Sequence, residues 1–334
     1  MSTDDLFSTR GRGFLLMAKF RYPTGVRPLL IEETARRRRI EWRFVEVLER
    51  AGFAEIVLPI IDYAEPYVPL QARDMSKQSY RFVDREGELV AIRSDFTPMA
   101  ARALAPAIAG ADLPLRVYYR GDVIRCDASR LGANREMFQI GAEIVGDPSI
   151  DADIAVLRLA ADLVREFGLQ PNVIYTDVAV ALPELRPVLS TKRMNGDVPA
   201  AMRGIAEKLV AGSATVEDIA PFAPEAAARL TEIAAALPDF ELHLDDFEES
   251  TGYYTGPRFR IYDAASRTKL AQGGRYDRLY ETFGTPAPAV GFTFTIDDLF
   301  EERRQLAGRT AGTLPAGWEP ADLPAGSRRY SESE

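Results

Sequence analysis

Residues 115–125, LRVYYRGDVIR, and residues 137–145, MFQIGAEIV, are two strand-like runs separated by a polar loop that contains Ser129 and Gly132. So short a connection suits an antiparallel pair, since parallel strands need a crossover of a dozen or more residues. Along an extended strand the side chains of Gln139, Gly141 and Glu143 share one face. Glycine between two polar side chains suggests a floor that a polar ligand approaches closely. Read singly, the same residues also fit a paired, purely structural role, which is the common fate of buried polar groups.

The rest of the chain extends this antiparallel theme. Apolar residues at helical spacing (Ile40, Phe44, Val47, Leu48) predict a helix over Glu32 to Gly52, which glycine ends. Ile56 to Ile61 reads as a buried strand, with Pro59 suiting an edge or a strand end. Tyr80 to Val83 and Leu89 to Arg93 form two short strands around Arg85-Glu86-Gly87. Helices are expected at Phe96 to Leu104 and Asp153 to Phe167, and a broken helical insertion at 183–238. Strand character returns at Asn172 to Val178, Phe240 to Leu244, Phe259 to Tyr262, Thr268 to Ala271 and Val290 to Thr295, and a last helix starts near Ile296. Residues 308–334 are rich in Gly, Pro, Ser and charge, which predicts a disordered tail. Strands joined mostly by hairpins, with helices grouped between them, define an α+β fold: a mostly antiparallel sheet flanked by helices over residues 1–307.

Composition narrows the chemistry. With 46% apolar and 27% charged residues the 334-residue chain is ordinary globular protein, and its net charge of −9 disfavours broad capture of nucleic acid or anionic membrane. One histidine, His243, and one cysteine, Cys126, leave no set of zinc ligands, so no metal is expected. His243 alternates with Leu242 and Leu244 as a sheet-surface residue would, and Cys126 reads as an inert thiol. The run Arg36 to Arg39 lies among Glu32, Glu33 and Glu41 and reads as a solvated helix face. Neither a signal peptide nor a membrane-length apolar run is evident, so a cytoplasmic location is expected. No strand leads into a glycine-rich dinucleotide turn or a Walker-type loop, and no cofactor is expected.

Four segments carry polar residues in a pattern: Arg93-Ser94-Asp95-Phe96-Thr97; the hairpin from Arg120 to Glu143; Gly252-Tyr253-Tyr254-Thr255-Gly256; and Gln272-Gly273-Gly274-Arg275-Tyr276-Asp277 with Ala289-Val290-Gly291-Phe292 after it. In order and spacing they resemble the catalytic core of histidyl-tRNA synthetases, a class II aminoacyl-tRNA synthetase fold, from about Pro23 to Leu299. The resemblance implies that Asp95, Thr97, Gln139 and Glu143 hold the ammonium and side chain of free histidine. It implies that Tyr253 and Tyr254 close on the imidazole, and that Arg125 grips the carboxylate and the α-phosphate. Gly141, Gly273 and Gly274 would form the floor. These pairings suit the groups involved, ammonium to carboxylate and carboxylate to forked guanidinium.

Two positions depart from that pattern. Glu249 stands where the family's histidine loop has an arginine, and Asp298 where the third class II motif has one for the ATP phosphates. Adenylate formation needs preorganised cations around the transferring group, so carboxylates there imply no catalysis. The short tail after the last motif, without a basic surface, implies no tRNA recognition. Both departures are similar to the regulatory subunits of ATP phosphoribosyltransferase, synthetase-like chains that support a short-form catalytic subunit and link it to histidine feedback in a hetero-octamer. The resemblance further implies a self-dimer through residues 32–61. An amino-acid-activating ligase and a purely structural scaffold are the alternatives.

Overall fold

The computed structural model describes residues 22–70, 79–126, 134–194, 198–246 and 253–299. Helix α1, Ile31–Arg50, is amphipathic and buries Ile40, Phe44, Val45 and Leu48. Strands β1 (Ala54–Glu55), β2 (Ile61–Tyr63), β3 (Arg81–Val83) and β4 (Leu89–Ile92) follow, then helix α2, Thr97–Ile108. Next come β5 (Leu115–Ile124), β6 (Glu136–Val145), α3 (Ile150–Glu166) and β7 (Pro171–Asp177). The segment predicted as a broken helical insertion holds four α-helices: α4 (Arg186–Thr191), α5 (Arg203–Val210), α6 (Val216–Ile219) and α7 (Pro224–Ala236). The order closes with β8 (Glu241–Leu242), β9 (Pro257–Asp263), β10 (Lys269–Arg275) and β11 (Ala289–Thr295), after which residues 296–299 turn helical. Among the described residues no helix is long and apolar enough to cross a membrane.

Eight strands form one sheet in the order β1-β5-β6-β11-β10-β9-β7-β8, and β2-β4-β3 form a second, small one. Only the outermost pairs, β1 with β5 and β7 with β8, run parallel; the five inner pairings are antiparallel, as the hairpin reading expects. One face of the large sheet packs Phe138, Ile140, Ala142, Phe292, Phe294 and Ile261 against α1, α3 and α7. Phe44 of α1 stacks on Phe167 at 5.2 Å and meets Phe294 edge-on at 4.9 Å, so the helix is tied directly to β11. The opposite face presents Gln139, Gly141, Glu143, Gly291 and Thr293 in register, Gly291 beside Glu143 and Thr293 beside Gly141.

The strand expected at Ile56 to Ile61 is corrected. The chain leaves the large sheet after Glu55 and enters the small one at Ile61, and the segment between is largely exposed, with Val57 at 89% and Leu58 its buried side chain. Pro59 has no N–H to offer a ladder. The Arg93 guanidinium satisfies the carbonyls of Leu58 (2.9 Å) and Pro59 (3.1 Å) instead of a neighbouring strand. The strand expected at Thr268 to Ala271 runs on to Arg275, so Gly273 and Gly274 lie inside β10. In the arginine run, Arg36 pairs with Glu32, Arg37 with Asp122 and Arg38 with Glu41. His243 lies just past β8 beside Glu241, half exposed. The predicted tail, residues 308–334, falls outside the described residues.

Candidate amino-acid site

The polar face of the large sheet meets the start of α2 and the Tyr253–Tyr254 turn around a cleft. Arg93 builds one edge. Its guanidinium donates to the Asp122 carbonyl at 2.8 and 3.0 Å and lies 4.0 Å over the Phe96 ring. Gly121 leaves space for it: φ is +151° there, and a Cβ would stand 2.8 Å from Arg93 Nη2. The loop so held delivers Asp95, whose Oδ1 accepts from the Thr97 N–H at 3.2 Å. Arg125 donates from Nε to the Ser94 carbonyl at 3.1 Å, tying the end of β5 to the same loop. Burial pushes the Asp95 carboxyl up from its ordinary value, and the nearby Arg125 charge opposes that.

The opposite wall is aromatic. Tyr253, Tyr254 and Tyr276 form a triangle with ring centroids 5.1, 5.8 and 6.5 Å apart. Their approach depends on Gly274, where a Cβ would lie 2.9 Å from the Tyr254 ring and 2.7 Å from the Pro257 carbonyl. Asp95, Thr97, Arg125, Gln139, Tyr253, Tyr254 and Gly273 all line the cleft, together with Gln272, Tyr276 and Thr293. Gln139 is 5% exposed and its Oε1 has no donor among the described residues, so the buried acceptor suits a ligand N–H or water. Arg125 is the one cation among the lining residues.

Three expected positions sit elsewhere. The space over Gly141 belongs to the Tyr119 ring, which a Cβ would meet at 2.5 Å, so the glycine seats a tyrosine and is not open floor. Glu143 is 1% exposed behind the cleft wall, with Tyr119 and Thr97 hydroxyls on Oε1 at 2.7 and 3.1 Å and the Tyr276 hydroxyl on Oε2. Burial pushes it up to about 7 against those three hydrogen bonds. Gly274 supports Tyr254 from behind. Asp298 is exposed on the helical turn after β11, and Glu249 lies outside the described residues. Residues that the reading by type did not assign are Tyr119, Tyr276, Gln272, Thr293 and Gly291. The last has a clear requirement: a Cβ there would fall 1.4 Å from Glu143 Oε2. Gly291→Ala is therefore expected to cost at least about 1–3 kcal/mol by overpacking, measured as a lower urea midpoint; an unchanged midpoint would contradict this packing.

Arg275, grouped with the site by its neighbours, points away from it. It clamps Asp153 at the first turn of α3 (Nε at 3.0 Å, Nη2 at 2.9 Å) and donates to the Ser149 carbonyl at 2.9 Å. Burial pushes Asp153 up to about 6 even with this partner, whereas the guanidinium, its own burial outweighed by Asp153 and Asp277, is held above its usual range. The bidentate geometry keeps the pair ionised.

A large antiparallel sheet with a polar face, a hairpin bearing Arg125 and Gln139, and a glycine-rich last pair of strands together define a class II aminoacyl-tRNA synthetase-like core. The model of the histidyl-tRNA synthetase family matches residues 25–182 and 181–299. An ATP phosphoribosyltransferase regulatory subunit of Symbiobacterium thermophilum is 31% identical, over 86% of this chain and 81% of its own. A histidine–tRNA ligase of Methanocaldococcus jannaschii is 30% identical, over 84% and 75%. Among solved structures, an ATP phosphoribosyltransferase regulatory subunit/histidyl-tRNA synthetase from Bacillus halodurans superposes with a TM-score of 0.74 at 25% identity, covering 87% of this chain and 90% of that one. The chain belongs to the histidyl-tRNA synthetase family, among relatives that include regulatory subunits of ATP phosphoribosyltransferase.

Proposed function

We propose that this chain is a non-catalytic regulatory subunit of ATP phosphoribosyltransferase, required by a short-form catalytic subunit and linking it to histidine feedback at the start of histidine biosynthesis in the cytoplasm. The observation that carries the reading is the make-up of the cleft. Asp95 and Gln139 Oε1, unpartnered among the described residues, suit an ammonium, Arg125 a carboxylate and the tyrosine triangle a flat ring, while a single cation among the described lining residues is little for a triphosphate. Free histidine fits that inventory. Glu249 and Asp298, at the positions where the enzymes carry arginines, argue the same way. Feedback then requires that histidine bind one state of the assembly better than another.

The partner chain would meet a dimer of this subunit. Val57, Ile60 and Ile61, between 50% and 89% exposed, make an exposed apolar strip of sequence at the end of the 32–61 segment expected to self-associate. Val57→Asp together with Ile60→Asp is expected to turn a dimer into a monomer in analytical ultracentrifugation; an unaltered sedimentation coefficient would rule this strip out. For the function itself, a tagged copy of this chain should co-purify a short ATP phosphoribosyltransferase chain. Calorimetry should register histidine binding to this chain or to that complex, and binding by neither would sink the sensor role. The ligase among the relatives raises amino-acid activation as a second reading, which predicts histidine-dependent exchange between ATP and pyrophosphate; we expect none.

A further inference from the structure

Gln272 stands on the polar face of the large sheet, between Thr293 of β11 and Arg260 of β9, and lines the cleft. A bulge in β10 decides its surroundings. The register against β9 shifts between Lys269 and Ala271, so the consecutive residues Leu270 and Ala271 are both buried in the core. The broken alternation brings Lys269 round to the glutamine, where its Nζ donates to Gln272 Oε1 at 3.1 Å. An ammonium only donates, so this contact fixes which way round the amide sits. Lys269 is not among the residues that line the cleft. The amide oxygen therefore turns outward to Lys269. The NH2 end, with no acceptor among the described residues, is left for the cleft.

Free histidine offers an acceptor in two places, the carboxylate and the unprotonated ring nitrogen. The ring belongs with the tyrosine triangle, where Tyr254 lies against Gly274. Gln272 is two residues back along β10, about 7 Å away on the same face, so it meets the backbone end of such a ligand and not its ring. The ammonium at that end accepts nothing and goes to Asp95 and Gln139 Oε1. A donor at 272 is therefore matched to the carboxylate, for which Arg125 is the one charged donor among the described lining residues. We propose that Gln272 is a specificity-determining residue: its NH2, oriented by Lys269, donates to the ligand's carboxylate and so separates a free α-amino acid from the matching alcohol or amine. The inference deepens the histidine reading above and rests on it for the ligand. Two glutamines on the strands that flank β11 then divide the work, Gln139 accepting from the ammonium and Gln272 donating to the carboxylate.

The test is calorimetric binding, at one pH, of L-histidine and of L-histidinol, which carries an alcohol in place of the carboxylate. It uses the full chain as wild type and as Gln272→Glu. That substitution keeps the shape and the contact with Lys269, but presents an acceptor where the amide presented a donor. The wild type should prefer histidine to histidinol by at least about tenfold, the scale of a hydrogen bond to a charged group. Q272E should cut that preference by about tenfold or more, through weaker histidine binding, while histidinol affinity stays within about threefold of the wild type. Retained histidinol binding also shows that the variant is folded. Gln272→Ala removes the donor without adding charge and should lower the preference in the same direction by less; it decides the matter if Q272E lacks the wild-type urea transition. A preference that Q272E leaves unchanged within about threefold, smaller than any lost charge-assisted contact, would overturn the assignment and leave the histidine reading standing. A wild type that binds neither ligand would remove the histidine reading and this assignment with it.

Discussion

Arg275→Met is expected to destabilise the fold by about 3–5 kcal/mol, the usual cost of orphaning one partner of a buried ion pair. Arg275 is 4% exposed and Asp153 is 2% exposed, so water cannot replace the lost guanidinium. The carbonyls of Asp147 and Ser149 lose donors in the same step. Because the clamp joins β10 to the start of α3, the loss should appear as global unfolding rather than as local fraying. Urea titration of the single variant and of Arg275→Met with Asp153→Leu checks this: the double variant should recover much of the loss, since it removes the stranded charge. A cost under about 1 kcal/mol for the single variant, within the range of ordinary surface substitutions and pairs, would return Arg275 to the list of site candidates.

Glu143→Gln is expected to have the opposite sign, and only above neutral pH. The folded-state value of about 7 lies above the unfolded value of 4.5, so the native state holds this proton more tightly than the unfolded chain does. Stability from this group is therefore gained as pH falls from about 7 towards 4.5, and above 7 the ionised carboxylate is a net cost of up to roughly 3 kcal/mol. E143Q removes that cost. Its urea midpoint should exceed that of the wild type at pH 8, and the advantage should disappear by pH 5. Equal gaps at both pH values would show that Glu143 does not titrate in this range.

Much of this architecture was legible because side-chain period and hairpin length are local properties. The β5–β6 pair could be read from alternation alone, and so could the shared face of Gln139, Gly141 and Glu143. Helix α1 announced itself through Ile40, Phe44 and Leu48. What could not be read were the properties set by distant partners. Residues 56–61 have strand composition, yet their carbonyls go to Arg93, more than thirty residues away. Arg275 and Tyr276 are adjacent in sequence but point to opposite sides of β10, one into an ion pair with α3 and the other onto Glu143. Gly141 looked like an open floor because nothing local reveals that Tyr119, its cross-strand neighbour, fills the space. Gln139 lines the cleft as its strand face alone implies, whereas the hydroxyls of Thr97, Tyr119 and Tyr276 that surround Glu143 come from remote elements.

On the function proposed above, this chain acts on a partner's catalysis and performs none of its own. The direct measurement is the rate at which a purified short ATP phosphoribosyltransferase chain joins ATP to phosphoribosyl pyrophosphate, with and without stoichiometric amounts of this subunit and over a range of histidine concentrations. The account predicts that activity depends on adding this subunit and that histidine suppresses it, with the suppression lost in Gln139→Ala. A short chain whose rate is the same with and without this subunit would contradict the account.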